Sequence, residues 1–148
     1  MQLTRAADYA LRIMIHLAGL PPASRPNRSA LAQAGEVAEH FLSKILQSLA
    51  RAGLIDSQRG MNGGFALARR PEQVTVLDVL EAIEGPLILN VCLAAGESCG
   101  RKSWCPAHPV WAEAQEAMAS VLRRTTIATL ASRSPASSDG ESGGSPWN

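Results

Sequence analysis

The stretch that decides the fold is residues 38–68, AEHFLSKILQSLARAGLIDSQRGMNGGFALA. Four apolar residues in its first half lie on one helical face, at the i, i+3, i+4 and i+7 positions: Leu42, Ile45, Leu46 and Leu49. Gly53 follows at the point where a helix is expected to end. The pattern therefore predicts an amphipathic helix from about Ala38 to Ala52.

Two short extended segments follow this helix, Leu54–Gln58 and Phe65–Ala68. The turn-rich sequence RGMNGG at residues 59–64 lies between them, so they are predicted to pair as a β-hairpin. Upstream, a short helix is predicted over Ser29–Ala34, and Gly35 is predicted to supply the turn. Helix, turn, helix and hairpin in this order are typical of a winged helix-turn-helix.

The exposed face of the predicted long helix carries side chains that can hydrogen-bond base edges or neutralise phosphate. They are His40, Ser43, Lys44, Gln47 and Arg51. The hairpin adds polar side chains and glycines whose backbone can approach a phosphate or the minor groove, namely Arg59, Asn62, Gly63 and Gly64. The alternative is a solvated face, as on most amphipathic helices. The combination of this face with a basic hairpin favours double-stranded DNA as the partner.

Further helices are predicted on both sides of this unit, two of them capped by Thr4 and Thr75. A long helix is predicted to begin at Pro109, to run to about Arg124 and to resume at Ile127. It carries an apolar seam formed by Trp111, Ala114, Met118, Val121 and Leu122. The predicted fold class is therefore mainly α with a small β-wing.

Composition and charge narrow the class of protein. A length of 148 residues allows one compact domain with an added helical element, and 46% hydrophobic with only 4% aromatic residues favours helix. Residues 1–70 contain nine Lys or Arg against four Asp or Glu, whereas residues 71–148 contain five against nine. This asymmetry indicates a polyanion-binding module followed by a different unit, with chance segregation as the alternative.

The sequence also bears on location. Its apolar runs are too short to cross a bilayer, and its first residues lack the pattern of a secretory signal. We therefore expect a cytoplasmic protein with no membrane partner, in a compartment that keeps thiols reduced. Ser, Gly and Pro dominate the last residues, so we expect a disordered tail over residues 132–148.

Three cysteines lie within fourteen residues, Cys92, Cys99 and Cys105, and this odd number favours a metal site over a disulfide framework. Six residues separate the first two and five the last two, in a segment with glycines, so the thiolates can converge on one soft metal centre. An iron-sulfur cluster is the first choice. Zinc is second, because paired Cys-x-x-Cys knuckles are missing. A thiol-disulfide switch and three ordinary half-buried cysteines are the alternatives.

A metal centre on three thiolates needs a fourth ligand, and three residues are candidates. His108 follows Cys105 after two residues, and imidazole is a good iron ligand. Asp8 can reach the cysteine segment from the first helix of the same or the other subunit. Glu84 is the third candidate, near a helix end. Prolines on both sides of His108 restrict its orientation, which favours Asp8.

The sequence resembles the family of iron-sulfur winged-helix transcription regulators that includes IscR, NsrR and RirA. The resemblance covers about residues 1–131. It rests on MQLTR at residues 1–5 with Asp8-Tyr9-Ala10, FLSKILQSLARAGL at residues 41–54, RGMNGG at residues 59–64, and the three-cysteine segment. It implies a homodimer that binds a partly palindromic operator and responds to iron, cluster supply, nitric oxide or redox state. The long helix from Pro109 would then be the dimerisation helix.

The resemblance implies two alternative clusters. In the pattern of IscR-like members, Cys92, Cys99, Cys105 and His108 would hold a two-iron cluster. In the pattern of NsrR-like members, Asp8 of the partner subunit would join the three cysteines around a four-iron cluster, and Asp8 followed by Arg12 matches that pattern. The six residues between the first two cysteines, where five are usual, leave the cluster type open.

We therefore expect residues 1–70 to form a winged helix-turn-helix DNA-binding region and residues 71–131 to form the cluster loop and dimerisation helices. The expected function is a DNA-binding transcription regulator, a repressor and not an enzyme, controlled by an iron-sulfur cluster. The alternatives are a cluster-free or thiol-switched DNA-binding regulator and a small iron-sulfur carrier or assembly protein.

Overall fold

The computed structural model describes residues 3–96 and 99–134. Its helices are α1 (Arg5–Gly19), α2 (Arg28–Gly35), α3 (Glu39–Arg51), α4 (Val76–Glu84), α5 (His108–Arg124) and α6 (Ile127–Arg133). Strands β1 (Ile55–Gln58) and β2 (Gly64–Leu67) form a two-stranded antiparallel sheet, so the predicted fold class is confirmed. None of the helices in these two described ranges is long and apolar enough to span a membrane.

Helix α1 is the central packing element. It begins after Thr4, whose Oγ1 accepts a hydrogen bond from the backbone amide of Ala7 at 3.4 Å, as the sequence predicts. Its buried side consists of Ala7, Ala10, Ile13, Met14 and Leu17. This side contacts α2, α3, α4 and α6, so both halves of the chain pack against one helix.

Helix α2 differs from its prediction at both ends. It begins at Arg28, one residue before the predicted Ser29, and Asn27 caps it, because the Asn27 Oδ1 accepts a hydrogen bond from the Ala30 amide at 2.9 Å. The turn residue is Glu36, with φ +52°, and not Gly35. Gly35 is the last helical residue, where a Cβ would approach Ile13 Cδ1 to 2.8 Å. The glycine therefore favours close packing on α1 and does not form the turn.

Helix α3 and the hairpin lie where the sequence places them, with ends that differ by one residue. The predicted stripe of α3 is buried: Leu42, Ile45, Leu46 and Leu49. Gly53 takes a φ of +68° after the helix, as expected for the residue that follows a helix end. In the sheet, Ile55 lies opposite Leu67 and Gln58 lies opposite Gly64. We call this hairpin, residues 55–67, the wing.

The wing is attached to the connector between α1 and α2. The backbone amide of Phe65 donates a hydrogen bond to the carbonyl oxygen of Pro26 at 3.0 Å. Gly64 is buried beside it, and a Cβ on Gly64 would overlap the carbonyl oxygen of Arg25 and lie 2.7 Å from that of Pro26. The connector therefore sets where the wing stands beside α3.

The second half of the chain folds back onto α1. Thr75 caps α4 in a capping box, because its Oγ1 accepts a hydrogen bond from the Asp78 backbone amide and the Asp78 carboxylate accepts one from the Thr75 backbone amide. A single bridge joins Thr75 to Thr126, and α6 then packs against α1. Helix α6 reaches Arg133, so the first two residues of the predicted tail, 132 and 133, are helical. Residues 135–148 of that tail lie outside the described residues.

Helix α5 is mostly exposed. It begins at His108, one residue before the predicted Pro109, and Ala119 alone of its seventeen residues is buried. Three large apolar side chains along it stay exposed, Val110 at 60%, Trp111 at 40% and Val121 at 47%. Within the described chain, the predicted apolar seam is therefore only partly covered.

The contact between the wing and the connector predicts the effect of Gly64→Ala. The added methyl group collides with backbone carbonyls that cannot rotate away, so we expect a loss of roughly 1–3 kcal/mol from overpacking. A further loss of about 1 kcal/mol comes from the positive φ. Urea unfolding measures the total, and hydrogen exchange at the Phe65 amide reports the contact itself.

Gly60→Ala is the matched control for this prediction. Gly60 also has a positive φ of +108°, but its Cβ position is open. It should therefore show the backbone cost alone and leave exchange at Phe65 unchanged. Equal losses for the two variants would show that the wing is not seated on the connector.

Candidate nucleic-acid interface and cysteine loop

The outer face of α3 is open. His40, Lys44, Gln47 and Arg51 are exposed, on the opposite side from the buried stripe. Ser43 is half-buried, and its Oγ donates a hydrogen bond to the carbonyl oxygen of Glu39 at 3.1 Å. The face therefore combines the charged side chains of Lys44 and Arg51 with polar ones, and a helix of this kind can enter a groove of DNA.

The wing presents only part of its predicted surface. Arg59 and Asn62 are exposed, and Met61 between them is fully exposed at the tip. Gly63 is half-buried and Gly64 is buried. The sequence predicts that the glycine at position 64 lets a phosphate approach. In the structure, its missing Cβ instead makes room for the connector.

Two arginines around this surface have roles that the helical pattern does not reveal. The Nη2 of Arg69 donates a hydrogen bond to the carbonyl oxygen of Ala52 at 3.5 Å, which ties the end of the wing to the end of α3. Arg28, the first residue of α2, lines a cleft shared with α3 and the wing. The helical spacing of residues in α3 gives no sign that these two arginines lie beside it. The tertiary fold places them next to α3.

The three cysteines lie in the segment between α4 and α5, which we call the cysteine loop (residues 86–107). Cys92 is half-buried in a short 3₁₀ turn, Cys99 is exposed, and Cys105 is half-buried just before α5. All three are free thiols. Among the residues that the structure describes, no three His, Cys, Asp or Glu side chains are grouped closely enough to hold a metal ion.

His108 lies at the junction of the cysteine loop and α5. Its backbone amide donates to the carbonyl oxygen of Cys105 at 3.2 Å, so the two residues are held together. The His108 Nδ1 atom is buried and finds no hydrogen-bond partner within the described part of the chain. A buried nitrogen without a partner is costly, and a metal ligand is one way to satisfy it. Thiolates and an imidazole are ligands that suit iron, so these residue types fit an iron-sulfur centre. In the described loop, however, they do not lie close enough together to bind one metal ion.

Asp8 lies in a different network. Its Oδ2 is 2.8 Å from an Arg12 guanidinium nitrogen, and a second nitrogen of Arg12 is 3.7 Å from a Glu36 carboxylate oxygen. Arg12 also lies over the Tyr9 ring, which packs edge-on against Phe41 of α3. We call Asp8, Arg12 and Glu36 the α1 ion-pair network. It connects a predicted cluster ligand to the turn that precedes α3.

The remaining candidate ligand and the histidine of α1 have simpler environments. A carboxylate oxygen of Glu84 accepts hydrogen bonds from the backbone amide and hydroxyl of Thr4, so Glu84 joins α4 to the start of α1. Burial lowers the pKa of His16 below its usual value. The His16 imidazole is therefore neutral at pH 7 and adds no charge to the basic half of the chain.

A family model described as "Rrf2: Iron-dependent Transcriptional regulator" matches residues 3–133. The chain belongs to the Rrf2 family. It is 38% identical over 131 residues to the HTH-type transcriptional regulator NsrR of Geobacillus kaustophilus, covering 88% of this chain and 89% of that protein.

Two solved structures have a similar fold. The structure of CymR, the global cysteine regulator of Bacillus subtilis, superposes with a TM-score of 0.74 at 29% identity, over 91% of this chain and 99% of that one. The T. potens IscR structure gives a TM-score of 0.70 at 22% identity, over 96% and 94%, and shows likeness of fold alone.

Membership of the Rrf2 family confirms the resemblance found in the sequence and the winged-helix prediction. It also identifies the chain as a DNA-binding transcription regulator and not an enzyme. The names of its relatives differ, since one is NsrR and another is a cysteine regulator. Family membership therefore leaves the signal and the role of the cysteines to the residues of this chain.

The α1 ion-pair network predicts a small effect of Arg12→Met on stability. The Arg12 side chain is 28% exposed and its partners more than half exposed, so each pair should contribute only about 0.2–1 kcal/mol. A double-mutant cycle with Glu36→Gln, measured by urea unfolding at low and high salt, gives the coupling energy. Arg5→Met, at an exposed site of the same helix, is the control.

The coupling should shrink at high salt, because exposed charges are screened. A salt-independent coupling of roughly 3 kcal/mol would instead be typical of a buried ion pair and would contradict the exposure of the network.

Proposed function

We propose that this Rrf2 protein is a homodimeric transcriptional repressor whose affinity for a partly palindromic operator depends on an iron-sulfur cluster held by Cys92, Cys99 and Cys105. Residues 1–70 read the DNA. Residues 71–131 provide the cluster loop and the dimer contacts. Each part of this proposal rests on a separate group of contacts.

The observation that carries the DNA-reading role is the division of α3 into a buried apolar stripe and an open polar face. A helix of this kind fits the major groove of B-DNA, where Lys44 and Gln47 can reach base edges. The wing beside it projects Arg59 and Asn62 toward the neighbouring backbone or minor groove. Arg69 adds a hydrogen bond to the end of α3, and the backbone amide of Leu54 bonds the carbonyl oxygen of Leu49, so the wing stays beside α3.

The cluster assignment is supported by the donor chemistry of the cysteine loop. Three free thiols lie in one loop, and the unpartnered Nδ1 of His108 lies in the residue bonded to Cys105 through the backbone. A bound iron-sulfur cluster would supply iron that reacts with nitric oxide or oxidants. Asp8 already forms an ion pair with Arg12, whereas the Nδ1 atom of His108 has no hydrogen-bond partner among the described residues. We therefore assign His108 as the fourth ligand.

Asp8 of the partner subunit is the competing fourth ligand, and the α1 ion-pair network gives it a specific consequence. If Asp8 leaves Arg12, the guanidinium keeps Glu36 as its acidic partner, in the turn before α3. The charge balance at that turn then changes. Such a change biases the position of α3 relative to α1, and hence the spacing of two recognition helices in a dimer.

A second copy of the chain is the proposed partner of α5. The helix exposes Val110, Trp111 and Val121 and buries only Ala119, which is typical of a helix that is covered in an oligomer. A two-fold dimer through α5 would also present two reading units to the two halves of a palindrome.

A cluster-free regulator controlled by thiol chemistry is the second candidate. It is favoured by the separation of the three cysteines, which do not form a metal-binding group in the described loop. Cys99 is exposed and open to oxidation or disulfide exchange. A small iron-sulfur carrier is disfavoured, because it has no use for an open recognition face and wing.

The DNA-reading role predicts that one variant loses affinity for all DNA and another changes base preference. Arg59→Ala should weaken binding to every duplex and lower the salt slope of log K by about 0.9, as for loss of one phosphate contact. Gln47→Ala should change base preference at one position of each half-site by roughly 1–3 kcal/mol. Fluorescence anisotropy on duplexes selected from a random library by the wild-type protein measures both.

Gln73→Ala, which removes an exposed glutamine after the wing, is the matched control and should bind like wild type. A footprint should cover two half-sites about one helical turn apart. Wild-type affinity and preference for both test variants would show that α3 and the wing do not read DNA.

The cluster assignment predicts that protein purified without air is brown and contains iron and sulfide. Replacing any one of Cys92, Cys99 and Cys105 with Ser should remove most of the visible absorbance, because too few soft ligands remain. Ser103→Ala in the same loop is the control and should keep the colour. Colourless protein with reversible thiol oxidation would favour the second candidate.

The order of two further variants decides the fourth ligand. His108→Ala should shorten the lifetime of the cluster more than Asp8→Ala does, with absorbance as the readout. The reverse order, together with a change in operator affinity for Asp8→Ala, would replace His108 with Asp8 of the partner subunit.

A further inference from the structure

A cleft of about 140 Å³ opens between the first turn of α2, the outer face of α3 and the wing. Its polar lining consists of Arg28 from α2, Ser43 and Gln47 from α3, and Ser57 from β1. Apolar side chains, including Leu46 and the half-buried Phe65, form the rest. Two of these residues, Ser43 and Gln47, already belong to the predicted DNA-reading face, whereas Arg28 and Ser57 do not.

The walls of the cleft are fixed by contacts outside it. Asn27 caps α2 directly before Arg28, so the first turn of that helix is held in place. The hydrogen bond from the Phe65 amide to the Pro26 carbonyl sets the distance between the start of α2 and the wing. The cleft therefore exists before any ligand binds.

The chemistry of the lining suits a sugar-phosphate strand. Arg28 supplies one positive charge, and hydroxyl and amide groups supply hydrogen bonds to phosphate oxygens. The apolar floor can contact the C–H face of a deoxyribose. Among the described residues, the lining contains no carboxylate, and strand alternation places Asp56 on the opposite face of β1 from Ser57.

The position of the cleft leads to the same ligand. In a duplex, one sugar-phosphate strand separates the major groove from the neighbouring minor groove. When α3 occupies the major groove and the wing lies over the adjacent backbone or minor groove, the space between them faces that strand. Arg28 lies in this space, at the open end of α2.

We propose that Arg28 binds a backbone phosphate of the DNA strand that lies between α3 and the wing. The contact adds affinity for any duplex and reads no base. This assignment depends on the proposed DNA binding, and it adds a positioning residue from α2 to a surface otherwise formed by α3 and the wing.

The test uses the full chain and two duplexes, one selected from a random library by the wild-type protein and one unselected duplex of equal length. Arg28→Ala should weaken binding to both by the same factor, on the order of ten-fold, and lower the salt slope by about 0.9. Arg28→Lys should recover most of the affinity, because a phosphate contact needs the charge. Arg133→Ala, which removes another exposed arginine, from α6, is the control.

The variant is expected to fold, since Ala is a better helix former than Arg and Asn27 still caps the helix. Wild-type affinity and salt slope for Arg28→Ala, with normal operator binding by the wild type, would overturn the assignment alone. A changed ratio between the two duplexes would also overturn it, because Arg28 would then read a base. Failure of the wild type to bind either duplex would instead overturn the proposed function.

Discussion

The buried side of α1 packs against elements from both halves of the chain, and the other features of the molecule depend on this contact. Ile13, Met14 and Leu17 join the core beneath α2 and α3, while Ala7 lies in a second apolar cluster with α4. Small residues on α1 let the neighbouring helices approach closely, as Gly35 of α2 does from the other side. A displacement of α1 would therefore disturb the helix-turn-helix and the helices that flank the cysteine loop together.

Several contacts hold α3, the wing and the connector together. Arg69 bonds the end of α3, the Phe65 amide bonds the connector, and Gly64 lets the wing and connector touch. Under the proposed function, a signal from the second half of the chain would therefore alter DNA binding by moving whole winged helix-turn-helix units apart, and not by reshaping one of them.

Local patterns were sufficient for the elements whose ends are marked by chemistry in the sequence. The apolar stripe of α3 and the caps of α1 and α4 follow directly from residue spacing. The start of α2 did not, because Asn27 and Ser29 are both residue types that cap helices, and only the structure shows that Asn27 does so. Spacing alone also could not show that Gly64 is buried or that Arg28 lines a cleft with α3, because both depend on contacts between segments distant in sequence. For the cysteine loop, spacing indicates the type of ligand but not whether the thiols meet, which depends on contacts distant in sequence.

The cysteine loop is weakly held compared with the rest of the fold, and this bears on how a signal can act. From Gly85 to His108, no described residue is buried, and the loop is joined to α5 by the bond from the Leu89 amide to Gln115. Little buried apolar area opposes a rearrangement there, so a ligand needs only a modest difference in affinity to select one loop conformation. The loop continues into α5 at His108, and α5 contacts α4, which packs on α1. A ligand that gathers the thiols would therefore order the segment that the chain itself leaves loose, and its effect would reach the DNA-reading surface through α4 and α1.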